Sequence, residues 1–484
     1  MLAGVRTALL LLLCPSVAIA HGRPAALGRI VQDPSRPSRL VAQATWGLAI
    51  SEDGGARWQW LCAAALGVDA RNQDPPIAIS GDGTILASTF DGLITSRDHA
   101  CTWGTPSDAL RDVYTIDVVR APGPPERLLA ISTGSIEPDT LWQSEDLGAT
   151  FTPLATDFGQ GVLLDQARVA PSRPGRIYLS AHIAGDVATR RVLLLSSDDG
   201  GASFQPHALP IAGTEWGGWI LGVSPDDPDV VFVRVTHFDG EEVPERILRT
   251  RDGGTNWEEV LRLPYTGGMT YGPDGAILIA SRRGGVHRSE DGGDSFRVVD
   301  ATLALTCLHT IDGTIWACAD NARSGYAIGR SQDGVTFEPV ATLSDIGALY
   351  ACPSCSPAGY LCPHWLPDVI VDLHLDADLP DGYVVTEAGT GLPRDAAPPA
   401  ECIDASALDG GIDAGPASAA AGCGCRIAAR KKDRGLWALF AAALGLAITR
   451  DRARRAGAAR ARACAGARRA SDRAGAAPPR CRRG

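Results

Sequence analysis

The chain has 484 residues, of which 45% are hydrophobic, so it can bury a large core either as a barrel or propeller or as more than one ordinary domain. The net charge of -11 is unevenly distributed, because residues 426–484 carry 17 basic and 3 acidic side chains, which leaves -25 on residues 1–425. This acidic body excludes nucleic acid as the main ligand, since phosphate binding needs a positive surface.

The N-terminal residues 1–20 have the parts of a secretory signal peptide. Arg6 supplies a positive charge, residues 8–13 are apolar, and Ala-Ile-Ala at 18–20 is a small-x-small cleavage signature. Three leucines before Cys14 approach a lipoprotein motif, but the residue before a lipidated cysteine is normally small, and here it is leucine. We therefore expect export without lipidation, and an exported body can form disulfides.

A motif of the form Ser/Thr-x-Asp-x-Gly-x-x-aromatic recurs seven times in the middle of the chain, with starts 39 to 53 residues apart. The second copy has Ala100 at the glycine position, and the seventh copy, which contains Gly334, is one residue short. In chain order, the motif residues are Ser51, Asp53, Gly55 and Trp58; Ser96, Asp98 and Trp103; Ser144, Asp146, Gly148 and Phe151; Ser197, Asp199, Gly201 and Phe204; Thr250, Asp252, Gly254 and Trp257; Ser289, Asp291, Gly293 and Phe296; and Ser331, Asp333 and Phe337.

Every copy has the same surroundings, in which turns, short apolar strands and the motif alternate. The stretch Asp-Val-Val-Phe-Val-Arg-Val at 229–235, for example, follows a turn rich in Pro and Asp and precedes the fifth copy. Four short strands in about 45 residues form a propeller blade. The sequence predicts an all-β fold, a β-propeller of seven four-stranded blades over residues 21–345, with helix only towards the two termini, including a short apolar helix near the C-terminus.

The motif has a structural role in such a hairpin. Its hydroxyl and carboxylate can accept hydrogen bonds from backbone N–H groups of the turn, its glycine supplies a positive φ, and its aromatic ring can pack between neighbouring sheets. The motif resembles the Asp-box (BNR) repeat, and residues 27–342 resemble Asp-box propellers, a superfamily with sialidases, sortilin-like receptors, xyloglucan-cleaving hydrolases and photosystem assembly factors. The resemblance implies that the seven aspartates are structural hairpin residues at the blade periphery.

A catalytic set of the sialidase type is not found in the sequence. Sialidases use three arginines, a tyrosine nucleophile with a glutamate partner, an acidic acid/base residue and an Arg-Ile-Pro signature, for which the nearest match is Arg29-Ile30-Val31. Our leading hypothesis is therefore a binding or recognition module for a protein or glycan ligand, without a cofactor. The alternatives are a sialidase-type glycoside hydrolase, whose distant carboxylates would leave no local spacing, and a scaffold for an envelope complex.

The cysteines are expected to form disulfides in the exported body. Cys307 and Cys318 flank the hairpin signal Asp312-Gly313 and face each other in its register, so they are predicted to pair. Cys62 and Cys101 follow or lie within the first two motifs and are predicted to link adjacent blades. The remaining cysteines would pair among themselves in an order that the sequence leaves open: Cys352, Cys355, Cys362 and Cys402.

Some smaller clusters have a functional and a structural interpretation. The cysteines at 352–362 with His364 have the donors of a zinc site, and residues 376–382 approach a calcium loop, but disulfides and a solvated turn are expected instead, with no metal. Four tryptophans could stack on sugars but are expected to fill gaps between blades: Trp58, Trp60, Trp103 and Trp257.

The C-terminal part is predicted to attach the propeller to the cell. Residues 346–379 would form a cysteine-containing closing segment, and residues 380–421, rich in Ala, Gly, Asp and Pro, a flexible stalk. The apolar run 436–448 spans about 20 Å as a helix, short of the hydrocarbon core of a bilayer, and is interpreted as a marginal membrane segment.

The order of features in residues 422–455 resembles the MYXO-CTERM sorting signal of myxobacterial surface proteins. Cys423 and Cys425 come first, then the apolar run, then an arginine cluster. The resemblance implies that sorting machinery processes and anchors the protein at one of these cysteines, on the surface of a Gram-negative bacterium. Residues 456–484 are predicted to be a disordered Arg/Ala tail.

Overall fold

Seven antiparallel sheets, each built from consecutive strands, make up the body of the protein. The computed structural model describes residues 25–70, 73–121, 123–134, 138–237 and 243–372, with side chains up to 365. The strands of sheets 1 to 3 are β1 (Leu27–Gln32), β2 (Leu40–Ala44), β3 (Gly47–Ser51) and β4 (Gln59–Cys62); β5 (Ile77–Ile79), β6 (Ile85–Thr89) and β7 (Gly92–Ser96); and β8 (Thr115–Ala121), β9 (Arg127–Ser132), β10 (Thr140–Ser144) and β11 (Thr152–Ala155).

Sheets 4 to 7 each have four strands in sequence order. They are β12 (Val162–Val169), β13 (Ile177–Ile183), β14 (Arg191–Ser197) and β15 (Gln205–Ala208); β16 (Glu215–Val223), β17 (Val231–His237), β18 (Glu245–Thr250) and β19 (Glu258–Leu263); β20 (Thr266–Tyr271), β21 (Ile277–Ser281), β22 (Gly285–Ser289) and β23 (Arg297–Asp300); and β24 (Leu305–Ile311), β25 (Thr314–Ala319), β26 (Ile328–Ser331) and β27 (Glu338–Ala341).

The seven sheets are the blades of a β-propeller, which confirms the predicted fold class. The first strands of successive blades contact one another in order, and β1 also contacts β24, so that the ring closes. Among the strands of the described residues, blade 1 is built from N-terminal strands and blade 7 from C-terminal ones. Each first strand therefore faces a central channel, and each fourth strand lies at the periphery.

Blade 2 departs from the predicted four-stranded pattern. Its fourth strand is reduced to two isolated bridges, which join Thr95 to Gly104 and Gly92 to Arg111. Between them lie Pro106, which has no N–H to donate to the sheet, and a 3-10 helix at Asp108–Leu110. The chain bulges away from the sheet edge there and returns only at Arg111.

The helical segments also differ from the prediction that helix is confined to the termini. A four-residue helix, α1 (Asn321–Ser324), connects β25 and β26, and α2 (Pro357–Asp372) follows the propeller. Within the described part of the chain, none of the helices combines the length and the apolar character needed to cross a membrane. The apolar run 436–448 lies outside the described residues.

The segment 346–372, called the closing segment below, returns to the outer edge of blade 1. Trp60 on β4 donates its backbone N–H to Ala348 O and accepts from Tyr350 N, both at 2.7 Å, so the segment adds a short parallel pairing to that edge. The Tyr350 hydroxyl donates to Glu52 Oε1 at 2.6 Å. Helix α2 then packs against β4 and the adjoining 3-10 helix Ala63–Leu66.

Candidate functional site

The antiparallel order of the strands places the repeated motif and the connections between strands 2 and 3 on different faces. Each motif joins the third strand of a blade to the fourth, and these seven turns, called the repeat hairpins below, lie at one face of the ring. Because strands 1 and 3 run parallel to each other, each first strand begins at the opposite face, where strand 2 also ends. Connections between strands 2 and 3 therefore share that opposite face.

All seven repeat hairpins have the same internal hydrogen bonds. The hydroxyl of the first residue donates to the aspartate Oδ1 at 2.7–3.0 Å. That hydroxyl oxygen accepts the backbone N–H of the residue at the glycine position at 2.8–2.9 Å, although this residue is Ala100 in blade 2 and comes one position earlier in blade 7. The hydroxyl residues are all buried and the aspartates are all exposed.

The motif aromatics pack inward, as predicted. Trp58 is 2% exposed, and Trp60 is 1% exposed, which leaves neither ring surface for a sugar. Phe151 of blade 3 packs with Leu86 of blade 2 and Leu128 of its own blade. Trp103 and Trp257 are half-buried against apolar clusters, as are Phe204, Phe296 and Phe337.

The buried hydroxyl is expected to matter more to stability than the exposed aspartate. Thr250→Val removes the acceptor of the Gly254 N–H, leaving that buried donor without a partner, and should lower the free energy of unfolding by about 1–3 kcal/mol. In Asp252→Ala, water can replace the exposed carboxylate as the partner of groups such as the Asn256 N–H. We therefore expect the free energy of unfolding to fall by about 1 kcal/mol or less. Urea unfolding of both variants measures the difference, and a larger loss for Asp252→Ala would contradict this order.

The hairpin carboxylates make the fold sensitive to acid. Burial raises the pKa of Asp146, but hydrogen bonds from Thr150 and Ser144 outweigh it and lower the pKa to about 2, and the pKa values of the other six motif aspartates are lowered as well. Since each folded pKa lies below the ordinary 3.8, this stabilisation is present above that pH and is lost as the pH falls through the folded pKa, which for Asp146 is about 2.

The urea midpoint should therefore fall between pH 5 and pH 2. Asp146→Asn should reduce the slope of that fall, because one titrating group has gone, while its midpoint at pH 5 should be lower than that of the wild type. An unchanged midpoint across this range would mean that the hairpin hydrogen bonds do not stabilise the ionised form.

The disulfides confirm one predicted pair and correct the other. Cys307 and Cys318 are paired with a Cα–Cα distance of 4.8 Å, in the predicted register of β24 and β25. The predicted Cys62–Cys101 pair is wrong, because Cys62 bonds Cys362 and Cys101 bonds Cys352. The reason is the closing segment, which lies along blade 1 and brings two of its own cysteines to these positions.

The predicted pairing of Cys352, Cys355, Cys362 and Cys402 among themselves is accordingly wrong for Cys352 and Cys362. Cys355 is disulfide-bonded too, so these three sulfurs are not the thiolate donors that a zinc site would need. Cys402 and the sorting-signal cysteines Cys423 and Cys425 lie outside the described residues, as do residues 1–20 and 376–382.

The first strands of all seven blades line a central cavity of about 640 Å³. Its arginines are paired within the protein. Asp117 accepts from Arg168 Nη1 at 3.2 Å and lies 4.0 Å from Arg29 Nη2, while Arg234 donates to Thr266 O at 2.6 Å and lies 3.9 Å from Glu245.

Burial, as well as ion pairing, shifts the pKa values of the ionisable groups in the channel. Burial lowers the pKa of Arg168 to about 10, with Asp117 opposing this shift and Arg29 adding to it. Burial, reinforced by Arg29 and Arg168, lowers the pKa of His309 to about 3, so this imidazole is neutral near pH 7. The channel is thus a network of compensated charges around one neutral histidine.

A second cavity of about 400 Å³ adjoins the channel at the face opposite the repeat hairpins. We call it the aromatic pocket, and its face the pocket face. It lies between blades 2, 3, 4 and 5 and shares Asp165 and Trp219 with the channel. Its lining includes the following residues: Asp74, Ser88, Phe90, Tyr114, Leu163, Asp165, His182 and Trp219.

A histidine–aspartate pair forms one wall of the aromatic pocket. His182 Nδ1 lies 2.9 Å from Asp165 Oδ2, and this hydrogen bond raises the pKa of His182 against the effect of burial. The bond to a carboxylate places a proton on Nδ1 and leaves Nε2 as the second ring nitrogen. Asp165 is the extra residue of a β-bulge in β12, and a bulge redirects its side chain relative to the regular alternation.

Two exposed aromatic rings form the rim of the same pocket. Phe90 follows β6, and Tyr114 precedes β8, so both lie on the pocket face. Their ring centroids are 4.8 Å apart at an interplanar angle of 89°, an edge-to-face pair. Sequence reasoning did not identify the pocket residues, whose only local signal is polar residues within the apolar strands β12 and β13.

The chain is similar to known proteins at the level of the fold. No family model matches the chain, and no curated protein matches it. Among solved structures, the chain is similar to an ancestral GH74 enzyme at 14% identity, covering 63% of this chain and 46% of that one, with a TM-score of 0.46. The part of this chain that matches thus spans about half the length of that enzyme.

Two further solved structures cover more of the compared chain. YCF48 from Cyanidioschyzon merolae matches at 14% identity over 60% of this chain and 92% of that chain, with a TM-score of 0.42. The Hadza microbial sialidase Hz136 matches at 16% identity over 63% and 73%, with a TM-score of 0.37. At these values the likeness carries no inference about ligand or reaction, and the seven-bladed fold rests on the strand pairing.

Proposed function

We propose that this protein is an exported, surface-displayed propeller that binds a ligand on its pocket face, at blades 2 to 5. One observation carries the proposal. Of seven exposed large hydrophobic side chains in the described residues, five lie at that face of these blades: Phe90, Tyr114, Leu163, Val187 and Val243. Three of them, Phe90, Tyr114 and Leu163, line the aromatic pocket, and exposed apolar groups at a cavity mark an interaction site.

Binding without catalysis is supported by the state of the carboxyl groups. A glycoside hydrolase needs a carboxylic acid whose pKa is raised so that it can donate a proton. In the described residues, every carboxyl with a shifted pKa has it lowered, for example Asp146, Asp199 and Asp274. Asp117 and Asp165, which line the two cavities, are bonded to Arg168 and His182.

A sialidase-type hydrolase is the second candidate, favoured by one observation. Arg29, Arg168 and Arg234 line the channel, and an arginine cluster can bind a substrate carboxylate. Their existing partners, Asp117, Glu245 and Thr266 O, count against this function. Release of the fluorophore from a 4-methylumbelliferyl sialoside by the full chain would establish the hydrolase.

The binding proposal is tested by replacing rim residues with a matched control. The full chain is applied to glycan and peptide arrays as wild type, as Phe90→Ala/Tyr114→Ala, and as Val298→Ala/Val335→Ala, which removes two exposed hydrophobics outside the pocket face. The rim variant should lose array binding at least about tenfold, equivalent to about 1.4 kcal/mol, and the control should retain it. Retained binding in the rim variant, or equal losses in both, would contradict the proposed location.

Surface display is the second part of the proposal. Disulfides such as Cys62–Cys362 are typical of exported proteins. The anchoring signal with Cys423 and Cys425 lies outside the described residues and rests on the sequence pattern alone. Replacing both cysteines by serine should leave the protein unprocessed in the inner membrane, as fractionation and surface proteolysis would detect. Normal surface exposure of that variant would show that these cysteines do not direct sorting.

A further inference from the structure

The aromatic pocket differs in charge from the channel beside it. Four arginines line the channel: Arg29, Arg120, Arg168 and Arg234. The described lining of the pocket contains the carboxylates of Asp74 and Asp165 but no arginine or lysine, although the chain has 45 basic residues. Its one basic side chain in the described lining is His182, so with a neutral imidazole Asp165 gives this lining a negative charge.

A third carboxylate lies behind this wall. Asp139 is 5% exposed, and its Oδ2 accepts the backbone N–H of Leu164 at 2.6 Å, while its Oδ1 has no hydrogen-bond partner among the described residues. Its negative charge acts on His182 in the same direction as that of Asp165. The local electrostatic potential therefore favours a cation over an anion in the pocket.

A buried hydroxyl in the lining also lacks a partner. Ser88 is 2% exposed and its Oγ makes no hydrogen bond within the described residues, yet the residue lines the aromatic pocket. Buried polar atoms are nearly always hydrogen-bonded in folded proteins, so an unpartnered hydroxyl at a cavity indicates a position where a ligand atom can bind. This observation is independent of the acidic residues.

The aromatic side chains supply the remaining element of the site. Phe90 and Tyr114 are 45% and 41% exposed at the rim, and the indole of Trp219 lies deeper, between pocket and channel. The faces of aromatic rings carry negative charge and attract cations that are weakly hydrated, above all alkylated ammonium groups. Such a group also has apolar surface that the exposed rings can cover.

We propose that the aromatic pocket binds the ammonium group of a cationic ligand, with Asp165 as its counter-ion and Phe90, Tyr114 and Trp219 as its aromatic walls. This inference rests on the proposed function, since it names the chemistry of the ligand that binds the pocket face. An anionic group would meet the carboxylate of Asp165 there, and the described lining has no arginine to pair with it. A neutral apolar group would desolvate the His182–Asp165 pair without contributing a compensating interaction.

The test compares a cation with a neutral molecule of the same shape. Choline and 3,3-dimethyl-1-butanol differ in the charged nitrogen, and each is titrated into the full-length protein by isothermal calorimetry. Choline should bind in the millimolar range or tighter, and at least about tenfold more tightly than the alcohol, a difference of about 1.4 kcal/mol. Equal affinity for both compounds, or no detectable binding of choline, would overturn the proposal.

Three variants locate the binding site. Asp165→Asn removes the counter-ion and should weaken choline binding about tenfold or more, and Phe90→Leu keeps an apolar side chain without the ring and should weaken it about three- to tenfold. Glu338→Gln removes one charge from the outer strand of blade 7, where the side chain is 66% exposed, and should leave the affinity unchanged. An equal effect of Glu338→Gln and Asp165→Asn would overturn the proposal.

Thermal unfolding of each variant excludes a folding defect, and Ser88→Ala provides a second variant within the pocket. Within the described residues this hydroxyl has no partner to lose, so the fold should be unaffected while choline binding weakens. A peptide bearing trimethyl-lysine is titrated in parallel, and tighter binding of the peptide than of choline identifies a protein as the source of the ammonium group. Tighter binding of choline identifies a small molecule or headgroup.

The outcome separates this inference from the proposed function. If choline fails to bind while Phe90→Ala/Tyr114→Ala still abolishes binding on the arrays, the pocket face is a binding site and the cationic ligand is wrong. If choline binding depends on Asp165 and Phe90, the ammonium site stands whatever the arrays show about larger ligands.

Discussion

Removing both disulfides of the closing segment is expected to have the largest effect of any substitution considered. Cys62–Cys362 and Cys101–Cys352 close loops of 300 and 251 residues. When one disulfide is intact, the other closes a covalent loop of only about 50 residues. Losing either one alone should therefore lower the free energy of unfolding by about 4 kcal/mol. Losing both frees the long loops and should lower the free energy of unfolding by about 10 kcal/mol, which is comparable to the whole stability of many proteins.

The change is made with Cys62→Ser/Cys362→Ser, with Cys101→Ser/Cys352→Ser, and with all four substitutions. The free energy of unfolding is measured in urea under oxidising conditions, together with proteolysis of residues 346–372. The control is Cys307→Ser/Cys318→Ser, whose loop spans only 11 residues and which should cost about 3 kcal/mol without exposing that segment to protease. Protection of the closing segment in the quadruple variant would show that packing holds it without the disulfides.

Gly55→Ala is expected to have the second largest effect. Gly55 has a φ of +88°, and a Cβ there would lie 2.2 Å from Cη2 of Trp316, which belongs to blade 7. Trp316 is itself packed against Trp58, with ring centroids 6.3 Å apart, so it has little room to move. Overpacking of about 1–3 kcal/mol and left-handed strain of about 1 kcal/mol predict a loss of roughly 2–4 kcal/mol.

The neighbouring glycine is a matched control for that variant. Gly54 has a φ of +71° and no atom within 4 Å of the position of its Cβ, so Gly54→Ala should cost only the left-handed strain of about 1 kcal/mol. Both variants are compared by urea unfolding and by near-ultraviolet circular dichroism, which reports the packing of Trp58 and Trp316. Similar losses for the two would mean that the contact between blade 1 and blade 7 adjusts freely.

The contact between Gly55 and Trp316 also closes the ring of blades. Glycines of later repeat hairpins also lie against the preceding blade, as Gly201 does against Leu154 and Gly334 against Leu278. Gly55 makes the corresponding contact between blade 1 and blade 7, so the first hairpin completes the sequence of contacts around the propeller. The repeat hairpins are therefore contacts between blades as well as turns within them.

The sequence by itself predicted the features that depend on residues close together along the chain. The seven hairpins follow from hydrogen bonds between residues two to four positions apart, such as those of Ser51 with Asp53 and Gly55. The pair Cys307–Cys318 follows from a two-residue turn that sets the register of its own strands. Local geometry determines both, and repetition of one blade pattern then determines the fold.

Only the tertiary structure decided the features that join distant parts of the chain. Cys62 meets Cys362 because the closing segment returns to the edge of blade 1, a path with no signal in the spacing of the cysteines. Asp165 meets His182 because a β-bulge redirects the carboxylate, and Phe90 meets Tyr114 because adjacent blades converge at the channel mouth. These contacts depend on where a bulge occurs in a strand and on how the blades pack together. Neither can be read from the alternation of apolar and polar residues along a strand.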